Sequence, residues 1–193
     1  TEKIKLYQDN GILVYAGGTL FEAFAIRNQL DDYKKYLNKI NLTMVEISDG
    51  SINMKHETKC NIIKDFTKNF RVISEVGSKD VSINISSQDW IKWMKNELNA
   101  GSWKVIAEAR EGGNVGICDN NGRIKSELID EITNNISIEK ILWEAPKKEQ
   151  QTYFIDNFGA NVNLANIDPN EVIPLECLRL GLRGDTFHNF LNK

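Results

Sequence analysis

Six short runs of apolar and β-branched residues punctuate the chain, at positions 12–15, 43–47, 71–76, 104–108, 140–144 and 161–164, each closed by polar or glycine residues. Runs of that length and composition read as buried strands. Between them the apolar period becomes helical. Phe21, Phe24, Ala25, Leu30, Tyr33 and Leu37 recur on one face, and Thr19 followed by Glu22 has capping-box spacing, so one helix is predicted over 20–38. Ser86 or Ser87 can cap a helix bearing Ile91, Met94 and Leu98, with Gly101 where a left-handed C-terminal cap is wanted. Asp168-Pro169 pairs a cap with proline at the first helical position, and Pro174 is predicted to open a second helix through Leu182.

Strands alternating with helices mean a parallel sheet, either open and doubly wound or closed into a barrel. A carboxylate recurs at or just beyond four successive strand ends, at Glu46, Glu75, Glu108 and Glu144. A barrel brings such ends to one mouth, whereas an open sheet spreads them along an edge. The expected fold is therefore α/β, a (β/α)8 TIM barrel, with about six βα units forming a single domain over residues 1–193. A full barrel takes about 250 residues, and the first residue is Thr1 rather than Met, so the first one or two units are expected upstream of Thr1.

Composition narrows the partners. With 41% hydrophobic and 26% charged residues the chain can bury a core, which excludes a dominantly disordered state. No window approaches the roughly 18 consecutive apolar residues of a membrane helix, so a cytoplasmic protein with no membrane partner is expected. Lys and Arg number 24 against 27 Asp and Glu, a net charge of -3, which argues against nucleic acid and makes any anion site local. Cys60, Cys118 and Cys177 are widely spaced and read as reduced thiols. His56 and His188 have no companion at metal or catalytic spacing, and Trp90, Trp93, Trp103 and Trp143 read as packing residues.

A group of carboxylates at one mouth repels itself unless a proton or cation offsets the charge. Oxygen donors without a His or Cys cluster suit Mg²⁺, and Glu46, Glu75 and Glu108 are the candidate ligands, with Asp49 as a further one. Structural pairing of individual glutamates with Lys or Arg is the other reading. Cations follow the same strand ends: Lys79 four residues beyond Glu75, Arg110 two beyond Glu108, and Arg179 and Arg183 after the last strand. They imply an anionic substrate. Gly17-Gly18 and Gly112-Gly113 directly follow strands, where backbone N–H groups can hold an anion or simply make a tight turn.

Taken together, the stretches GGTLFE (17–22), VEISDG (45–50), SEVGSKD (74–80), EAREGG (108–113), EAPK (144–147), QQ (150–151), VNLANI (162–167) and LECLRLGLRGDT (175–186) resemble the phosphosulfolactate synthase family. They run in family order over nearly the whole chain. The resemblance implies a (β/α)8 barrel and a lyase that uses Mg²⁺ to add sulfite to phosphoenolpyruvate, giving (2R)-phospho-3-sulfolactate. That product leads toward coenzyme M biosynthesis in methanogenic archaea and to sulfolactate in spore-forming bacteria. On this reading Lys79 protonates C2, Arg110 holds phosphate or sulfite, and Gly17, Gly18, Gly112, Gly113, Asn163, Arg179 and Arg183 bind substrate. Two alternatives stay open: a non-catalytic protective role, as discussed for the similar plant heat-stress-associated proteins, and another phosphoenolpyruvate or enolate lyase on the same barrel. Self-association into a homo-oligomer is also left open.

Overall fold

The computed structural model describes residues 2–78 and 85–191, and the chain divides into two compact units. The first comprises Thr1–Val76 with Lys92–Val105, and the second Gly77–Ile91 with Ile106–Lys193.

In the first unit α1 (Glu2–Asp9) precedes β1 (Tyr15–Ala16), α2 (Gly18–Ala25), α3 (Leu30–Lys39), β2 (Met44–Ile47), α4 (His56–Phe66) and β3 (Arg71–Val76). β1 and β2 pair in parallel with Tyr15 opposite Met44, and β2 and β3 with Met44 opposite Arg71 through Ile47 opposite Ser74. Phe21, Tyr33, Leu37, Val45, Ile47, Ile63, Phe66 and Val72 form the core. Phe21 meets Phe66 edge-on with ring centroids 6.2 Å apart, and Phe24 stacks on Tyr33 at 5.0 Å.

Three local expectations are corrected here. The helix predicted over 20–38 is two helices, because Asn28 adopts a left-handed backbone (φ 55°) that asparagine tolerates better than most residues. One apolar stripe serves both pieces, so periodicity conceals the break. Thr19 and Glu22 form no capping box: α2 begins at Gly18 with Gly17 as its cap, and the Glu22 carboxylate accepts instead from the Ser48 hydroxyl. The first strand is confined to Tyr15–Ala16, leaving Ile12 and Leu13 exposed ahead of it.

The helix α5 (Ser87–Asn99) and strand β4 (Lys104–Ala107) each span the division between units. Ser86 caps α5 as expected, accepting the Asp89 N–H at 3.1 Å, and Gly101 takes a positive φ of 114° just past its end. The second unit continues with α6 (Ser126–Thr133), β5 (Ile141–Glu144), α7 (Lys148–Phe158), β6 (Leu164–Ala165) and α8 (Val172–Arg179). β5 and β6 are parallel, with Trp143 opposite Leu164. Trp143, wholly buried, stacks on Phe154 at 5.1 Å and anchors a core that includes Ile106, Ile117, Ile129, Ile132, Ile141 and Leu178. Asp168 accepts the Asn170 N–H at 2.8 Å and starts a 3-10 turn, Pro169–Glu171, that runs into α8. Pro174 thus falls within the first turn of α8 rather than opening a separate helix, where its missing N–H costs nothing.

The strands follow one another in chain order, β1-β2-β3-β4-β5-β6. A doubly wound sheet would reverse its order at a switch point, and none occurs among the described residues. The fold is TIM-barrel-like, with six βα units. Among the described residues no helix is long and apolar enough to cross a membrane.

Candidate active site

β5 alternates so that Ile141 and Trp143 are buried in the core while Glu144, its last residue, is less enclosed. One Glu144 carboxylate oxygen accepts two consecutive backbone N–H groups, those of Ala109 at 2.7 Å and Arg110 at 2.8 Å. Arg110 reaches that arrangement through a left-handed backbone (φ 64°), so the two amides form a nest around the anion. Glu108, directly after β4, is 1% exposed, and one of its carboxylate oxygens lies within 4.8 Å of one from Glu144.

Two glycines let the chain close on Glu108. A Cβ at Gly77 (φ 146°) would lie 2.3 Å from the Glu108 Cβ, and one at Gly116 (φ 59°) would lie 1.9 Å from the Glu108 carbonyl oxygen. Carboxylates this close, one of them almost wholly buried, repel unless a proton or cation intervenes. The all-oxygen donor set fits a hard divalent ion such as Mg²⁺ better than zinc.

The loop carrying Arg110, Gly112 and Gly113 is tied to α7 by Gln150. Its buried amide donates to the carbonyls of Gly113 and Gly122, both at 2.9 Å, and to Cys118 Sγ at 3.3 Å, while its oxygen accepts the Lys147 N–H at 3.1 Å. Burial pushes the Cys118 thiol up to about 12, so it is an inert packing group.

In the first unit, Glu46 accepts the Gly18 N–H at 2.9 Å. A Cβ at Gly18 would stand 2.4 Å from that oxygen and 2.2 Å from Ser48 Oγ, so close backbone approach requires glycine there. The helix N-terminus at Gly17-Gly18 does engage an anion, and it is the protein's own Glu46. Asp49 pairs with Lys59 Nζ at 2.8 Å, and the same ammonium meets Glu97 at 2.9 Å and the Glu75 carbonyl. Burial opposes the Lys59 charge, yet Glu97 and Asp49 together hold its pKa above the ordinary lysine value. Burial likewise pushes the Glu97 carboxyl up, against the pull of Lys59. Asp49 is therefore occupied by a lysine, a role its position in the sequence did not suggest.

Two predicted substrate residues bond to backbone carbonyls. Asn163 immediately precedes β6, and its amide donates to the Glu139 carbonyl at 3.3 Å; Arg179 donates to the carbonyls of Ala160 and Val162. Both thus tie down the approach to the N-terminal end of β6, opposite the end at which strand carboxylates stand. Arg183 lies 3.9 Å from Asp185, which also pairs with Lys148 at 3.0 Å. Lys79 lies outside the described residues.

Lys59, Glu97 and Gln150 were not anticipated. For the first two a signal exists: Lys59, Ile63 and Phe66, and Trp90, Met94 and Glu97, each occupy i, i+4 and i+7, placing opposite charges within two buried helical stripes. Gln150 left none beyond its place beside Gln151 in the family-like stretch.

Carboxylates stand at or near the C-terminal ends of successive parallel strands, the place where enzymes of the TIM-barrel class carry their active sites. The model of the (2R)-phospho-3-sulfolactate synthase (ComA) family matches residues 1–185. The chain is 45% identical over 190 residues to phosphosulfolactate synthase of Methanocaldococcus jannaschii, covering 96% of this chain and 76% of that one. It is 41% identical over 189 residues to the Bacillus subtilis phosphosulfolactate synthase, covering 96% and 75%. An 82-residue stretch is 29% identical to the Arabidopsis thaliana protein heat-stress-associated 32, covering 42% of this chain and 27% of that one. Among solved structures it is similar to o-succinylbenzoate synthase of Thermosynechococcus elongatus BP-1, with TM-score 0.49, 12% identity, and 86% and 47% of the two chains covered. The chain belongs to the phosphosulfolactate synthase family, whose members are lyases.

Proposed function

We propose that this chain is a phosphosulfolactate synthase that, with Mg²⁺, adds sulfite to phosphoenolpyruvate to form (2R)-phospho-3-sulfolactate. The observation that carries the reading is the family match across residues 1–185. The carboxylate pair supports it, because two anions must be brought together and the addition places further negative charge on the substrate. Glu108 and Glu144 would hold the ion. Bound there, Mg²⁺ supplies the positive charge that offsets both the carboxylates and the charge developing on the substrate carboxylate.

The remaining work falls to the chain. The Ala109 and Arg110 amides fix the Glu144 carboxylate, and Gln150 holds the loop from which Arg110 projects. The Arg110 guanidinium holds the phosphate or the sulfite through its planar fork of donors. Sulfite attacks the methylene carbon of phosphoenolpyruvate, and Lys79 delivers a proton to C2 on one face, which makes the product a single stereoisomer.

Mass spectrometry of the chain incubated with phosphoenolpyruvate and sulfite tests this. A product combining the masses of both substrates is expected with Mg²⁺ and not after thorough chelation. Glu108→Gln and Glu144→Gln should each lower its rate by roughly 10²-fold or more. Consumption of phosphoenolpyruvate without sulfite incorporation would mean another enolate lyase, and no consumption would favour a protective role; either outcome contradicts the proposal.

A further inference from the structure

The first unit holds a buried charge cluster that the proposed chemistry does not use. Lys59 stands on the buried face of α4 and is 1% exposed. An ammonium has three N–H donors, and three acceptors surround this one: Asp49 Oδ1, Glu97 Oε1 and the main-chain carbonyl of Glu75. Each acceptor comes from a different element: the loop after β2, helix α5, and the C-terminal end of β3. Glu97 is wholly buried, and the hydroxyls of Ser74 and Ser102 bond to each other at 2.8 Å.

Stability does not account for such a cluster. Burying an ammonium and two carboxylates carries a desolvation penalty that their attraction at best offsets, and apolar replacements of similar volume are often neutral or stabilising. What the ammonium does supply is position, since two directed hydrogen bonds, to Asp49 and the Glu75 carbonyl, and an ion pair with Glu97 fix three backbone segments relative to one atom. Two of those segments carry strand-end carboxylates: Glu75 is bonded through its own carbonyl, and Asp49 lies three residues beyond Glu46.

We propose that Lys59 is a positioning residue that fixes the main chain at the C-terminal ends of β2 and β3, so that Glu46 and Glu75 are presented in constant register for the reaction. It touches neither substrate nor metal; it acts through the backbone that bears the two glutamates. The inference rests on the synthase function proposed above and on the expectation from the sequence that Glu46 and Glu75 serve that reaction.

The test compares the full chain with Lys59→Met, which keeps volume and removes the three donors, and with Lys59→Arg, which keeps the charge but spreads its donors over a planar fork. Hydrogen–deuterium exchange and steady-state kinetics are read on each. In Lys59→Met, amides in 46–50 and 72–78 should exchange roughly 10–100-fold faster while α1 and α3 keep wild-type protection, and kcat should fall by a similar factor, as for other residues that orient ligands at one remove. KM for phosphoenolpyruvate and sulfite should stay within about twofold. Lys59→Arg should recover part of kcat. Faster exchange throughout the unit with wild-type kcat would reduce Lys59 to a core residue and overturn the proposal, as would unchanged exchange in the two segments. Should Lys59→Met fail to fold, Lys59→Arg decides: faster exchange in both segments with lowered kcat supports the proposal, and wild-type values of both overturn it. A wild-type chain without synthase activity would refute the function instead, leaving the exchange comparison to judge the positioning role.

Discussion

Glu108 and Glu144 show how closely the backbone is built around a strand-end carboxylate. Gly77 and Gly116 let the chain pass within contact distance of Glu108, and the left-handed Arg110 turns two amides onto Glu144. The glutamates were legible in the sequence because position at a strand end is a sequence property. The occupation of Asp49 was not, because a lysine on a helix reads as solvated unless its partner on a distant helix is seen at the same time. The carbonyl partners of Arg179 and Asn163 were illegible for a related reason: they appear only in three dimensions. The proton donor is the residue on which the proposed stereochemistry turns. Lys79→Arg keeps the charge and removes a proton that can be given up, so turnover should drop by roughly 10²-fold or more with a smaller change in KM. Steady-state kinetics on that variant check the role, and a loss confined to KM would make Lys79 a binding residue.

At the scale of elements, the alternation of strands and helices emerged from periodicity, and the caps at Ser86 and Asp168 were readable from residue type. The break at Asn28 was not, since α2 and α3 present one continuous apolar stripe to the same core. Nor was the tie between the 109–122 loop and α7. Gln150 makes it with one buried side chain, whose amide donates to the Gly113 and Gly122 carbonyls and whose oxygen accepts the Lys147 N–H. Gln150→Leu keeps the size and leaves the Gly113 and Gly122 carbonyls without their donor, which should cost about 1–3 kcal/mol of stability by chemical denaturation. Because the same loop carries Arg110, KM for the anionic substrates should rise by roughly tenfold, the magnitude expected when a binding group is misplaced rather than removed. A variant with lowered stability and unchanged KM would show that the tie serves the fold alone.

At the scale of the whole molecule, the alternation of strands with helices foretold a parallel sheet, and the chain-order succession of the described strands separates the barrel class from a doubly wound sheet. The net charge of -3 gives no hint of the anionic substrates proposed above, because the cations that would bind them are a few local side chains outnumbered over the chain as a whole. Fold and charge alone lead only as far as a barrel enzyme with strand-end carboxylates; family membership, spanning residues 1–185, joins that frame to one reaction. The reaction has a signature at two adjacent carbons. Phosphoenolpyruvate labelled with ¹³C at C2 and C3, incubated with sulfite, Mg²⁺ and the chain in D₂O and followed by ¹³C NMR, should lose its alkene signals together. The account predicts a C3 methylene bonded to sulfur, free of deuterium, and a C2 bearing one deuteron and still bearing phosphate. Persistence of the alkene, or deuterium at C3 with no carbon–sulfur bond, would contradict it.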